Sequence, residues 1–146
     1  MDIRNFRPNY TRVVILFSAF AMVALVINTL FSYEPEQISD SVSHILEGDV
    51  ILTRHHAISL SLVNTPGPGE DGFENAVLFT ESLCPVNSIV IIDKDNLQPF
   101  DADGNTVAKV ICKDDKILNL ELLNKGHATL LEPYCDTSEF AKEFGC

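Results

Sequence analysis

Positive charge is scarce in this chain: ten Lys and Arg stand against 21 Asp and Glu, a formal net charge of −11. Three of the ten, Arg4, Arg7 and Arg12, sit near the N-terminus, so that seven basic and 20 acidic residues follow, a net −13. Binding to nucleic acid draws its affinity from Lys and Arg that neutralise phosphates, and a region this acidic repels a polyanion on average. Catalytic signatures are also missing. There is no G-x-S-x-G, no glycine-rich phosphate loop and no H-E-x-x-H, which removes the nucleophile elbow, the nucleotide cradle and the zinc-protease helix as readings. None of the four Cys forms a C-x-x-C and no His lies at zinc-finger spacing, so the pattern argues against a zinc site. No internal repeat or low-complexity tract occurs.

One stretch lacks charge altogether. From Val13 to Phe31 the only polar side chains are Ser18, Asn28 and Thr29. At about 1.5 Å rise per residue, 19 residues of helix cross a hydrocarbon core of about 30 Å. Arg4, Arg7 and Arg12 precede the run, while Glu34 and Glu36 follow it. Because basic flanks stay on the cytoplasmic side, the expected arrangement is a cytoplasmic tail (residues 1–12), a transmembrane signal anchor (13–31), a polar linker (32–42) and an extracytoplasmic domain (43–146). The competing reading is a signal peptide, cleaved to release a secreted domain. It would need a shorter apolar run and small residues at its end; Ala19-Phe20-Ala21 has the small residues but lies inside the run.

The outer region is long enough for one modest core. Asp49 to Arg54 and Ala57 to Val63 are rich in Val, Ile and Leu and flank His55-His56, which predicts a hairpin. Asp71 and Glu74 make a capping-box pattern ahead of a helical stripe of Phe73, Ala76, Val77, Thr80 and Leu83, stopped by Pro85. Ser88 to Asp93 and Thr106 to Cys112 are β-branched runs. Asn119 stands where a cap would start a helix ending at Lys125, with Gly126 beyond it. His127 to Leu131 reads as a last strand, and Asp136 with Glu139 as a capping box for a final helix through Phe140 and Phe144. With a first strand starting near Ser43, the fold class is α+β, mainly β: a small five-stranded OB-type barrel with about three helices, preceded by one transmembrane helix.

The acidic residues admit a bland account, solubility or salt tolerance, and a sharper one, a divalent cation. Asp93, Asp95, Asp101 and Asp103 invite comparison with a calcium loop, yet the glycine falls at Gly104 and the twelfth position is Cys112, so the EF-hand spacing fails. Asp101 to Asn105 is better read as a tight turn between strands. Cys84, Cys112, Cys135 and Cys146 all follow the apolar run. An even count in an extracytoplasmic domain implies two disulfides, with three pairings open.

Several short motifs in fixed order carry a family resemblance: Gly48-Asp49, Ile58 to Pro66, Phe79-Thr80, Asp101 to Ala108, Leu118 to Ala128, and, with Leu83-Cys84-Pro85, the run Tyr134 to Phe140. Across about residues 43–146 the chain resembles the staphylococcal nuclease (thermonuclease) family, and looks closest to its membrane-anchored archaeal members. The resemblance implies a calcium-dependent phosphodiesterase of DNA and RNA, with two arginines on the phosphate, a glutamate activating water and two aspartates on the metal. Set against those roles, the first arginine falls on Ser59, the glutamate on Gly67, the second aspartate on Asn64 and the second arginine on Asn105. Asp49 keeps the first aspartate, and Thr65 retains a carbonyl for a metal.

Without bidentate guanidinium donors, a phosphoryl transition state loses its main electrostatic support; an arginine in such a role supplies about 10³–10⁵ in rate. The expectation is a pseudo-nuclease acting as a binding module for an extracytoplasmic protein, peptide or cation, with no cofactor required and nucleic acid disfavoured. The alternative is a calcium-dependent nuclease with a rebuilt site, in which Arg54 and Glu70 meet one phosphate and His55 or His56 serves as base. Against it, Glu70 and Asp71 suit a helix start and His55-His56 a turn. His44 carries no functional signal, and His127 suits packing at a strand end.

Overall fold

The computed structural model describes residues 22–23 and 37–146. Apart from Met22 and Val23, the apolar run 13–31 lies outside the described residues, as does the tail before it. Among the described residues no helix is long and apolar enough to cross a membrane.

In chain order the elements are β1 (Gln37–Glu47), β2 (Val50–Thr53), β3 (Ala57–Leu60), β4 (Val63–Asn64), α1 (Phe73–Leu83), β5 (Ile89–Lys94), β6 (Thr106–Ile111), α2 (Leu118–Lys125), β7 (Thr129–Leu130) and α3 (Ala141–Phe144). Short 3₁₀ segments occur at Lys113–Asp115 and Glu132–Thr137. Five strands close into a barrel in the order β1-β2-β3-β6-β5, while β4 and β7 form a separate two-stranded pair. Within the barrel β3 and β6 run parallel and the other neighbours antiparallel. The OB-type expectation is met. β1 manages two neighbours because it bends: Gln37 to Ser41 pair with β5, Val42 to Glu47 pair with β2, and irregularities fall between Val42 and His44 and between Ile45 and Glu47. Such bulges turn a strand and sharpen its twist.

Alternation along each strand sends one side inward. Val42, Ile51, Ile58, Leu60, Val90, Ile92 and Val110 fill the barrel, and Leu118 and Leu122 of α2 join the same core. Each such side chain contributes about 1.5–3 kcal/mol on leaving water. A smaller cluster of Leu62, Phe140 and Phe144 fastens α3. Above it, Lys109 of β6 bridges Asp93 at 3.2 Å and Glu143 at 3.1 Å, and lies 4.6 Å from the Phe140 ring centroid. Burial pushes the Lys109 ammonium down, but Glu143 and Asp93 outweigh it and hold its pKa above the ordinary value.

The cysteines pair as Cys84–Cys112 and Cys135–Cys146, with Cα atoms 5.3 and 5.7 Å apart. The first joins the end of α1 to the end of β6 within the core, across 28 positions of chain. By loop-closure entropy a link of that span stabilises by about 3–4 kcal/mol.

Five local expectations need correction. The first strand begins at Gln37, inside the stretch read as a linker, because Ile38, Asp40 and Val42 alternate inward although the composition around them is polar. Asp71 caps nothing: α1 starts after Gly72, which takes φ +95° without a side-chain cap, and Glu70 accepts instead from the Gly67 amide at 2.8 Å. Asn119 is no cap either; it sits inside α2, fully buried. Glu139 accepts from Asn96 at 2.9 and 3.0 Å rather than closing a box with Asp136, so the last helix is only Ala141–Phe144. The strand expected from His127 is confined to Thr129–Leu130, and the His127 ring stacks near Phe79 with centroids 4.5 Å apart.

Asp40 ties β1 to the β2–β3 turn. It accepts from the Ser41 amide at 2.7 Å, the His55 amide at 3.0 Å and the His55 ring at 3.2 Å. Burial pushes its pKa up, but the Thr53 hydroxyl and these donors more than reverse that and lower it from 3.8 to about 2. Since the folded value lies below the unfolded one, this stabilisation is complete above about pH 4 and is lost as pH falls through about 2. Discounted for the exposed His55 partner, it is worth on the order of 1 kcal/mol. Denaturant titrations of the parent and Asp40→Asn should therefore differ in stability at pH 6, with the difference shrinking from about pH 4 towards pH 2; a constant difference would mean that ionisation of Asp40 is not what stabilises.

Candidate functional site

The β2–β3 hairpin places Asp49 and Ser59 side by side: Val50 is registered with Ser59, and the Leu60 amide donates to the Asp49 carbonyl at 2.9 Å. Beyond β3 the chain turns at Leu62, whose φ is +61°, and enters β4 and the Thr65-Pro66-Gly67 loop. Thr65 folds back on the hairpin, its hydroxyl donating to Asp49 Oδ1 at 2.6 Å and its amide to Oδ2 at 3.2 Å. The approach is close enough that Gly48 has no room for a side chain. A Cβ there would lie 2.7 Å from Ala76 Cβ and 2.8 Å from Thr65 Cγ2. The Gly48 carbonyl accepts from the Thr80 hydroxyl of α1 at 2.6 Å, so helix, loop and the β1–β2 turn meet at one point.

The other wall comes from the segment between β5 and β6. Asp101 Oδ1 accepts from the amides of Asp103 and Asn105 at 2.9 and 2.8 Å, closing the turn, with Gly104 at φ +84°. Asp101 Oδ2 accepts from Ser59 Oγ at 2.6 Å and from Asn105 Nδ2 at 2.9 Å, and Asn105 also donates to Ser59 at 3.2 Å. Burial raises the Asp101 pKa, but Ser59, Asn105 and Asp103 together hold it below the ordinary carboxylate value. Asp101 is thus a fixed negative charge whose four acceptor positions are all in use.

Between the walls lies a cavity of about 550 Å³, lined by Asp49, Ser59, Asn64, Asp101, Asp103, Phe100 and Tyr134 over an apolar floor that includes Leu60, Val63 and Val107. No Lys or Arg is among the described residues that line it. Residues 57–145 match the family of staphylococcal nuclease homologues. The chain belongs to that family. No curated protein matches it. The matched span starts at β3; β1 and β2, which complete the staphylococcal nuclease barrel here and carry Asp49, precede it.

Of the residues singled out from sequence, Asp49, Ser59 and Asn64 share the cavity and Asn105 reaches it through Ser59 and Asp101. Thr65 stands behind Asp49. Gly67 and Glu70 bond to each other outside it, and Arg54 lies exposed in the β2–β3 turn; neither Arg54 nor Glu70 lines this cavity. The four aspartates once compared with a calcium loop separate: Asp93 pairs with Lys109, Asp95 is buried among hydroxyls and amides, and Asp101 and Asp103 face the cavity. Among the described residues no three acidic, His or Cys side chains converge as a metal-ligand set, and Asp49 already gives both oxygens to Thr65. Sequence reasoning passed over Phe100 and Tyr134. Their signal was an aromatic placed among polar turn residues, in Gln98-Pro99-Phe100-Asp101 and Pro133-Tyr134.

Proposed function

We propose that this chain is a membrane-anchored, extracytoplasmic member of the staphylococcal nuclease family in which nuclease chemistry has degenerated and the cavity beside Asp49 serves for binding. The observation that carries the reading is the sign of that cavity. Where the family resemblance puts two arginines, Ser59 and Asn105 stand, both hydrogen-bonded to Asp101. Where it puts the glutamate and second aspartate, Gly67 and Asn64 stand. Three carboxylates then line a space that, in a nuclease, must attract a phosphodiester and stabilise added negative charge. Anchoring rests on the uncharged run from Val13 to Phe31 and its basic N-terminal flank.

The test is hydrolysis of single-stranded DNA and RNA by the full chain in non-ionic detergent, with calcium or with chelator, beside Asp49→Ala. The expected result is no cleavage above the chelator control. Calcium-dependent cleavage that disappears in Asp49→Ala would overturn the reading and establish a nuclease with a rebuilt site.

A further inference from the structure

We infer that the cavity beside Asp49 takes the guanidinium of an arginine side chain presented by a protein or peptide partner. The inference rests on the binding-module reading above and names the ligand of that same site.

Charge selects a cation. Asp49, Asp101 and Asp103 line the cavity with no basic residue among the described lining to neutralise them, and Asp101 stays ionised throughout the ordinary pH range. The hydrogen-bond inventory then leaves room for a donor. Each Asp49 oxygen accepts one bond, from the Thr65 amide or hydroxyl, so each keeps one acceptor position free. Open acceptor positions on a rigidly held carboxylate suit a guanidinium, whose five N–H donors lie in one plane.

The rest of the wall suits the remainder of an arginine. Phe100 and Tyr134 are 55 % and 45 % exposed and line the cavity. Aromatic faces attract guanidinium planes and cover methylene stems. The fold already uses Phe100 this way: Lys94 Nζ lies 4.8 Å from its ring centroid. A bare metal ion would gain nothing from the rings and needs convergent oxygens. The cavity volume, about 550 Å³, falls within the range usual for ligand sites.

Calorimetric titration of the full chain in non-ionic detergent tests this, using a short acetylated, amidated peptide with two arginines and the same peptide with citrulline, which keeps the shape and loses the charge. The arginine peptide should bind at least ten-fold more tightly. Phe100→Ala and Asp103→Asn, both at exposed side chains, should each weaken it about two- to five-fold with an unchanged melting temperature. Equal affinity for the two peptides, or no binding of the arginine peptide, overturns the inference. With the hydrolysis assay negative, that failure leaves the binding-module reading standing; calcium-dependent hydrolysis is the separate outcome that removes it.

Discussion

Replacing Asp95 with alanine should destabilise the domain by about 3–4 kcal/mol, although Asp95 has no cationic partner in its hydrogen-bonded shell. Asp95 is 0 % exposed and works as a hub. Its Oδ2 accepts from Ser61 at 2.8 Å and Ser138 at 2.5 Å, while Oδ1 accepts from the amides of Leu97, Gln98 and Glu139, each at 3.2 Å. Removing the carboxylate leaves three amides without an acceptor and only one of the two hydroxyls able to donate, to the other at 3.0 Å, and an unsatisfied buried group costs about 1–3 kcal/mol. The five donors come from three separate parts of the chain, so the loss is tertiary rather than local. Urea unfolding followed by circular dichroism should show the midpoint falling with the slope unchanged. Asp95→Asn keeps an oxygen for the amides and should cost clearly less; equal losses for the two variants would mean that packing, not acceptor count, makes the site.

The second large effect belongs to Asn119. Its side-chain oxygen accepts from the Val110 amide at 3.0 Å, and its Nδ2 donates to the carbonyls of Ser61 at 3.0 Å and Ala108 at 3.3 Å. One fully buried amide thereby joins α2 to the far ends of β3 and β6, where the parallel ladder runs out. Asn119→Ala should cost about 2–4 kcal/mol and lower the melting temperature by roughly 10–20 °C. Asn119→Asp should not restore stability, because a carboxylate cannot donate to the two carbonyls and is itself costly to bury. Thermal unfolding of both variants checks this; an aspartate variant as stable as the parent would show that only the bond from Val110 matters.

These two residues also mark what the sequence could and could not reveal. The β2–β3 hairpin, α1 and the barrel were legible because Val, Ile and Leu recur at strand or helix spacing, and that spacing reports burial directly. Asn119 was misread because an Asn ahead of an apolar stretch has the same local pattern whether it caps a helix or is buried within one. Which occurs depends on Ser61 and Ala108, 58 and 11 positions away. Asp136-Glu139 failed for the converse reason, since a partner 43 positions away, Asn96, takes the Glu139 carboxylate, and Asp71-Glu74 failed because the helix starts one residue later, after Gly72. The cysteine pairing was open in the sequence, since spacing alone left three choices. At the candidate site, the family positions were readable one by one. That Ser59 and Asn105 both close on Asp101 was not, because it depends on how the turn before β6 folds across β3.

The closed ring of β1, β2, β3, β6 and β5 has a further consequence for recognition. Proteins with an open sheet commonly capture partners by letting an extended peptide add itself as another strand, with main-chain hydrogen bonds supplying the affinity. A ring whose five strands are each paired on both sides has no such rim to offer. The only other sheet among the described residues, β4 with β7, is two residues long. Discrimination on this domain therefore falls to side chains reaching into a concavity. A partner can be extended, helical or irregular there, provided that one residue of it projects far enough.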